Sequence, residues 1–140
     1  MWDVSDKVPT VRIARARSFL RMGASTLAAV EAGTVPKGDP ISVAKVAAIM
    51  AAKSTPTFIP YCHPLTIESV KVDFAIQADG IEVTTVVKTS AKTGVEMEAL
   101  AAASVAALTL YDMLKQLDMG MTIERVELLE KTGGKSDFHR

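Results

Sequence analysis

The chain has 140 residues, which suits one domain and is too short for two ordinary ones. Its 16 Lys and Arg residues balance its 16 Asp and Glu residues, which argues against binding to nucleic acid or to an anionic membrane surface. The single cysteine, Cys62, excludes an internal disulfide, and with so few His partners it does not predict a zinc site. We expect one cytoplasmic domain over residues 1–140, without a metal site, an export signal or a membrane span.

The first regular pattern lies between residues 11 and 22 and predicts a strand. Small or apolar side chains alternate with longer ones, most of them basic, which is the two-residue period of a strand. One face of the strand should therefore be apolar and the other basic. The apolar side comprises Ala14, Ala16, Ser18 and Leu20, and the basic side comprises Arg15, Arg17, Phe19 and Arg21.

Two helices are predicted next. The first covers residues 25–32 and ends at a glycine. The second starts at Asp39-Pro40, because an aspartate N-cap followed by proline in the first turn is a strong start signal. It should run to about Lys53, before the proline-rich stretch that follows.

A β-hairpin follows, with strands over residues 66–78 and 81–92. We expect Asp79-Gly80 to form its turn, since this dipeptide is favoured in two-residue hairpin loops. A final strand is predicted over residues 121–130.

A long helix is predicted between the hairpin and the last strand, ending near Leu117. Thr93 and Glu96 have the spacing of a capping box that would start it. The order of elements is that of an α+β, ferredoxin-like βαββαβ fold with its first helix broken in two. Helices would cover one face of a four-stranded antiparallel sheet. The open face, and helix surfaces rich in Ala and Met, predict a homo-oligomer.

The segment Pro60–Pro64 is a candidate site because prolines stiffen the backbone around Cys62 and His63. Adjacent side chains in an extended segment point in opposite directions, so these two residues do not form a nucleophile–base pair by themselves. His63 suits phosphate binding or proton transfer near neutral pH, and a structural role is the alternative.

The long helix contains a second candidate, Asp112 and Lys115. The residues from Ala99 to Leu114 are apolar on nearly every side, which predicts a buried helix. A carboxylate and an ammonium group at i, i+3 share a face and, where water is scarce, would shift each other's proton affinity as an acid–base pair requires. A buried structural ion pair is the alternative.

Glu98, near the start of the same helix, is not explained by capping. Fourteen residue steps of about 1.5 Å separate it from Asp112, so the two carboxylates are roughly 21 Å apart on a straight helix. If both belong to one site, that site must combine two subunits.

Two lysines are candidate anion ligands. Lys37 lies in a loop just before a helix, where the positive end of the helix dipole would reinforce anion binding. Lys135 follows Gly133-Gly134, but Leu129 stands where a phosphate-binding loop needs a glycine, and five residues cannot form the helix that such a loop requires. The alternatives for Lys135 are a flexible approach to an anion and a solvated tail.

Three segments together resemble the MoaC family across nearly the whole chain. Weaker correspondences include Trp2-Asp3-Val4-Ser5 and the Lys37-Gly38-Asp39 helix start. The three segments are Ile59-Pro60-Tyr61-Cys62-His63-Pro64-Leu65, Lys92–Leu100 continuing to Leu110–Lys115, and Gly133-Gly134-Lys135-Ser136.

The resemblance implies a ferredoxin-like subunit, a homohexamer built as a trimer of dimers, and active sites at the dimer interfaces. It implies conversion of 3′,8-cyclo-7,8-dihydro-GTP to cyclic pyranopterin monophosphate with release of diphosphate, in molybdenum cofactor biosynthesis. No cofactor is required, although Mg²⁺ could accompany the triphosphate. A nucleotide-binding regulatory module and a structural scaffold without a ligand are the rival hypotheses.

The resemblance also implies roles for individual residues. The catalytic residues are Asp112, Lys115 and Lys37. Tyr61 stands where the family commonly has leucine, which affects the shape of the pocket. Lys135 and the strand arginines Arg15 and Arg17 would favour the triphosphate. The remaining substrate-binding positions are Cys62, His63, Glu96, Met97 and Glu98.

Overall fold

The computed structural model describes residues 1–140 and confirms the α+β, ferredoxin-like class. One antiparallel sheet has the strand order β2-β3-β1-β4-β5, with α2 and α3 packed on one face. The elements are β1 (Thr10–Arg21), α1 (Ala24–Ala32), α2 (Pro40–Phe58), β2 (Ile67–Gln77), β3 (Gly80–Ala91), α3 (Glu96–Leu114), β4 (Thr122–Thr132) and β5 (Phe138–His139).

The predicted alternation of β1 is confirmed, since all four apolar-side residues are buried against the helices. Two buried hydroxyl groups on this face donate to main-chain carbonyls of α3: Ser18 to Ala103, at 2.7 Å, and Thr85 to Ala99, at 2.8 Å. Alanines line the facing surfaces of α2 and α3, so the two helices and the sheet pack closely. Phe19 is buried although it lies on the outer face, where the Arg125 guanidinium stacks 5.5 Å from its ring centre.

The sheet has five strands and not the four predicted. Phe138 and His139 pair with Lys131 and Glu130, and the Arg140 amide donates to the carbonyl of Leu129 at 2.8 Å. Two residues are too few to show a strand period, so only the return of the chain onto β4 creates this strand.

The hairpin is confirmed, but its turn is formed by Ala78 and Asp79, and Gly80 is the first residue of β3. Gly80 has an ordinary φ. A Cβ at this position would lie 2.2 Å from the carbonyl oxygen of Leu20. The glycine is therefore required by the close approach of β1 and not by turn conformation.

The predicted capping box is wrong. Val95 is the N-cap of α3, no side chain caps this end, and Glu96 is the first helical residue. The Glu96 carboxylate instead lies 3.2 Å from the ammonium nitrogen of Lys131. The Glu96 side chain thus forms an ion pair with β4 and not the hydrogen bond to the Thr93 amide that a capping box requires.

Helix α2 begins as predicted, with the Asp39 side chain accepting from the Ile41 amide at 3.1 Å. It continues past the predicted end to Phe58, through Pro56. Proline has no amide proton, so the carbonyl of Ala52 loses its usual partner. The buried Thr55 hydroxyl lies 3.2 Å from that carbonyl and 2.9 Å from the carbonyl of Ala51, which satisfies the interrupted turn.

Helix α3 is long and apolar enough to cross a membrane by length and composition, but 56% of that stretch is buried inside the domain. It is thus the central helix of the core. The neighbouring helix α2 has an exposed apolar surface, where Val43, Val46 and Met50 face outward.

Candidate active site

A small cavity of about 110 Å³ brings together six of the predicted substrate-binding residues. It forms where the proline-rich loop before β2 meets the beginning of α3. These residues are separated by more than thirty positions in the chain, yet the loop and the helix start close onto one another. The six residues are Tyr61, Cys62, His63, Glu96, Met97 and Glu98.

Glu98 is the most buried charged residue of this cavity, with only 3% of its surface exposed. Burial raises the pKa of Glu98, and the negative charge of Glu96 adds to the effect. Burial also raises the pKa of the Cys62 thiol, and the charges of Glu98 and Glu96 reinforce that shift. A thiol held in its protonated form is a poor nucleophile, so the cavity favours binding and proton transfer over covalent catalysis.

A larger cavity of about 510 Å³ adjoins the first, and both are lined by Thr93, Gly94 and Glu96. Its volume is in the range typical of pockets for small-molecule ligands. Four basic residues surround it, and Glu96 is the one acidic residue on its wall. This excess of positive charge suits a polyphosphate. The basic residues are Lys7, Arg12, Lys131 and Lys135.

Lys135 also lines this larger cavity, and its role as an anion ligand stays a prediction. The turn before it is shaped by Gly133 and Gly134, both with positive φ. A Cβ on Gly134 would lie 2.3 Å from a guanidinium nitrogen of Arg12. The glycines therefore let the turn rest on Arg12 and hold Lys135 beside it.

Arg12, Lys7 and Lys131 were missed by sequence analysis. Arg12 belongs to the alternate positions of β1 whose side chains face the helices, but it lies near the start of the strand. Its guanidinium group donates to the carbonyls of Ala91 (3.2 Å) and Lys92 (3.3 Å). No local pattern marks these residues, because the cavity that they share is lined by three separate stretches of the chain, residues 7–12, 93–96 and 131–136. Their basic character was the only signal in the sequence.

The predicted catalytic residues meet at the other end of α3. The Lys37 ammonium group lies 2.8 Å from the Asp112 carbonyl oxygen and 3.3 Å from its carboxylate, and Lys115 lies 3.0 Å from the same carboxylate oxygen. Hydrogen bonds from Lys115 and then Lys37 lower the pKa of Asp112. The cluster therefore contains an ionised carboxylate between two cations.

This cluster is open to solvent within a single chain, contrary to the poorly hydrated setting that the apolar helix sequence suggested. The Asp112 side chain is 58% exposed. The apolar residues of α3 face the sheet and α2, and Asp112 lies on the remaining side. Neither cavity described above is lined by Asp112, Lys37 or Lys115.

Arg15 and Arg17 are not brought to either cavity. Both lie on the face of the sheet that the helices leave open. Arg17 is 2.5 Å from the carboxylate of Glu127, and Arg15 is exposed, opposite Glu130 on β4. Within one chain, neighbouring strands supply the anionic partner of Arg17. No group of three or more His, Cys, Asp and Glu side chains is arranged to hold a metal ion.

The fold and these clusters define a ferredoxin-like α+β protein with a nucleotide-sized basic cavity beside a small cavity lined by carboxylates and a histidine. The MoaC family model matches residues 1–134, and the chain belongs to the MoaC family.

The chain is similar to three proteins named cyclic pyranopterin monophosphate synthase. It is 55% identical to the protein of Novosphingobium aromaticivorans, over 97% of this chain and 87% of the relative. It is 54% identical to the protein of Desulfitobacterium hafniense, over 97% and 84%. The protein of a Nostoc species is 53% identical, over 97% and 82%.

Proposed function

We propose that the chain catalyses the formation of cyclic pyranopterin monophosphate, the reaction for which its relatives are named. The substrate is the cyclised GTP derivative 3′,8-cyclo-7,8-dihydro-GTP, and diphosphate is released in this lyase-type step of molybdenum cofactor biosynthesis. The observation that carries the proposal is the pair of adjoining cavities, since a nucleotide-derived substrate needs a basic pocket for its triphosphate beside a polar pocket for its rings.

The reaction needs proton transfers to open one ring and close others, and it needs positive charge where diphosphate leaves. The ionised carboxylate of Asp112 is suited to accept a proton, and Lys37 and Lys115 on either side are suited to donate one. Arg12, Lys131 and Lys135 would stabilise the negative charge that develops on the phosphates.

One chain does not contain the complete site. Helix α3 has Glu96 and Glu98 at its beginning and Asp112 near its end. At a rise of about 1.5 Å per residue, Glu98 and Asp112 are roughly 21 Å apart. We therefore propose that the active site joins the cavities of one subunit to the Asp112 cluster of a second. The solvent-exposed Asp112 and the apolar α2 surface support this arrangement.

The assembly we propose is a homohexamer formed as a trimer of dimers, with active sites at the dimer interfaces. Burial of Val43, Val46 and Met50 between copies would remove these exposed apolar side chains of α2 from water. We also propose a cytoplasmic location and no required cofactor, with Mg²⁺ as an optional companion of the triphosphate. Light scattering tests the assembly, because a hexamer and a monomer differ sixfold in molar mass.

The competing hypothesis is a regulatory module that binds a nucleotide without converting it. The test is to incubate the purified chain with the cyclised substrate and to quantify products by chromatography and mass spectrometry. Equal amounts of diphosphate and cyclic monophosphate, formed over many turnovers, support the synthase. Saturable binding in calorimetry without any product would favour the regulatory module, and the absence of binding would favour a scaffold.

A further inference from the structure

The N-terminal segment, residues 2–8, lies beside both cavities. The Nε2 atom of His63 is 2.8 Å from the carbonyl oxygen of Trp2. Lys7 and Val8, a few residues further on, line the basic cavity. The segment thus borders the small cavity at one end and the large cavity at the other.

The hydrogen bond to Trp2 determines which nitrogen of His63 carries a proton. A carbonyl oxygen can only accept, so Nε2 must donate. In the neutral ring Nδ1 is then an acceptor, and protonation of the ring can occur only there. Cys62, Glu96 and Glu98 line the same small cavity as His63.

The segment is held in this position by its own turn and by a clamp from Lys92, the residue that follows β3. The Asp3 carboxylate accepts hydrogen bonds from the amide of Ser5, at 2.9 Å, and from its hydroxyl group. The Lys92 ammonium group donates to the Ser5 carbonyl at 3.1 Å. A mostly exposed stretch of chain is therefore fastened at Asp3 and Ser5, directly after the Trp2 carbonyl that reaches His63.

We propose that residues 2–5 are a positioning element of the active site, in which the Trp2 carbonyl keeps the proton on Nε2 of His63 and leaves Nδ1 to exchange a proton with the substrate. This inference rests on the proposed function only where it names the substrate as the partner in proton exchange. The placement of the proton on Nε2 is a property of the free protein and can be measured without turnover.

The test is nitrogen NMR of ¹⁵N-histidine-labelled protein in the His139→Gln background, which leaves His63 as the only histidine. At alkaline pH we expect a neutral ring that carries its proton on Nε2. Asp3→Ala removes the turn and Lys92→Met removes the clamp, so both should shift the ring toward a mixture of tautomers. Both should lower kcat/KM about fivefold, the effect of one ordinary hydrogen bond. Asp6→Asn, in the same segment without these contacts, is the matched control and should change neither quantity.

A neutral His63 with its proton on Nδ1 in the full chain would overturn the proposal. It would also be overturned if Asp3→Ala and Lys92→Met lowered kcat/KM but kept the wild-type tautomer, since the segment would then act only on stability or charge. Absence of turnover in every variant and in the parent chain would instead refute the proposed function, and the tautomer would still be measurable.

Discussion

Lys37 lies within hydrogen-bonding distance of both the main-chain carbonyl and the carboxylate of Asp112, although the two residues are 75 positions apart. The loop before α2 thus reaches the end of α3, where Lys115 contacts the same carboxylate from one helical turn away. One carboxylate with two cations on different elements is a geometry suited to proton exchange.

Asp112→Asn should lower kcat by about a hundredfold to ten-thousandfold, the range expected when a general acid or base is removed. The amide keeps the shape of the side chain but cannot accept a proton. The stability of the fold should be unchanged, because the side chain is exposed. Steady-state kinetics together with circular dichroism measure both. Asp73→Asn, at an exposed position on β2, is the control, and a variant of Asp112 with near-normal kcat would contradict the catalytic assignment.

Mixed assemblies of Asp112→Asn and Glu98→Ala chains should recover activity that neither variant has alone. In a two-fold dimer that combines the two variants, one of the two composite sites is intact. Random pairing within the proposed hexamer should then restore about a quarter of the wild-type activity, because about half of the dimers in a hexamer that contains both variants are mixed. The measurement uses co-expressed chains with different tags, purified over both. Persistent inactivity of verified mixed assemblies would mean that each chain contains its own complete site.

Glu98→Gln should stabilise the fold at high pH and not at low pH. Since folding raises the pKa of Glu98, the folded state retains a proton that the unfolded state releases. The resulting stability is complete at acidic pH and is lost as the pH rises through the folded pKa. The difference in urea midpoint between variant and parent should therefore be near zero at about pH 4 and positive at about pH 8. Glu31→Gln, at an exposed position on α1, should show no such trend.

Thr55→Val should destabilise the fold by about 1–3 kcal/mol, the cost of leaving a buried carbonyl without a partner. The hydroxyl of Thr55 is within bonding distance of the Ala52 carbonyl that Pro56 leaves free. Thr57→Val removes a similar bond to Ser54 at an exposed position, where water can replace it. The control should therefore lose less than about 0.5 kcal/mol in urea unfolding. Equal losses in both variants would show that the proline-interrupted turn does not depend on Thr55.

Gly134→Ala should weaken binding of a non-hydrolysable GTP analogue about tenfold in calorimetry, which corresponds to about 1.4 kcal/mol. The added methyl group would collide with Arg12, and the positive φ of this residue disfavours alanine. Gly33→Ala, with a positive φ and no close neighbour, shares the backbone cost without the collision. The control should keep its affinity, and an equal loss in both would attribute the effect to general strain.

The elements with strong local signals were predictable from the sequence. The alternation in β1, the Asp39-Pro40 start of α2 and the β2–β3 hairpin all follow from interactions between residues close in the chain. The predictions that failed concern residues whose partners are distant. Gly80 packs closely against β1 and lies outside the turn that it was predicted to form. Glu96 pairs with Lys131, so the predicted capping box does not form.

The same division applies to the candidate site. The proline-stiffened loop with Cys62 and His63, and the separation of Glu98 from Asp112 on one helix, could be predicted from the amino-acid order, because they depend on local backbone geometry and the rise of a helix. The folded chain was needed to find that Arg12 and Lys131 join Lys135 around one cavity and that Lys37 meets Asp112. Such contacts depend on how the sheet and helices pack, which local patterns do not encode.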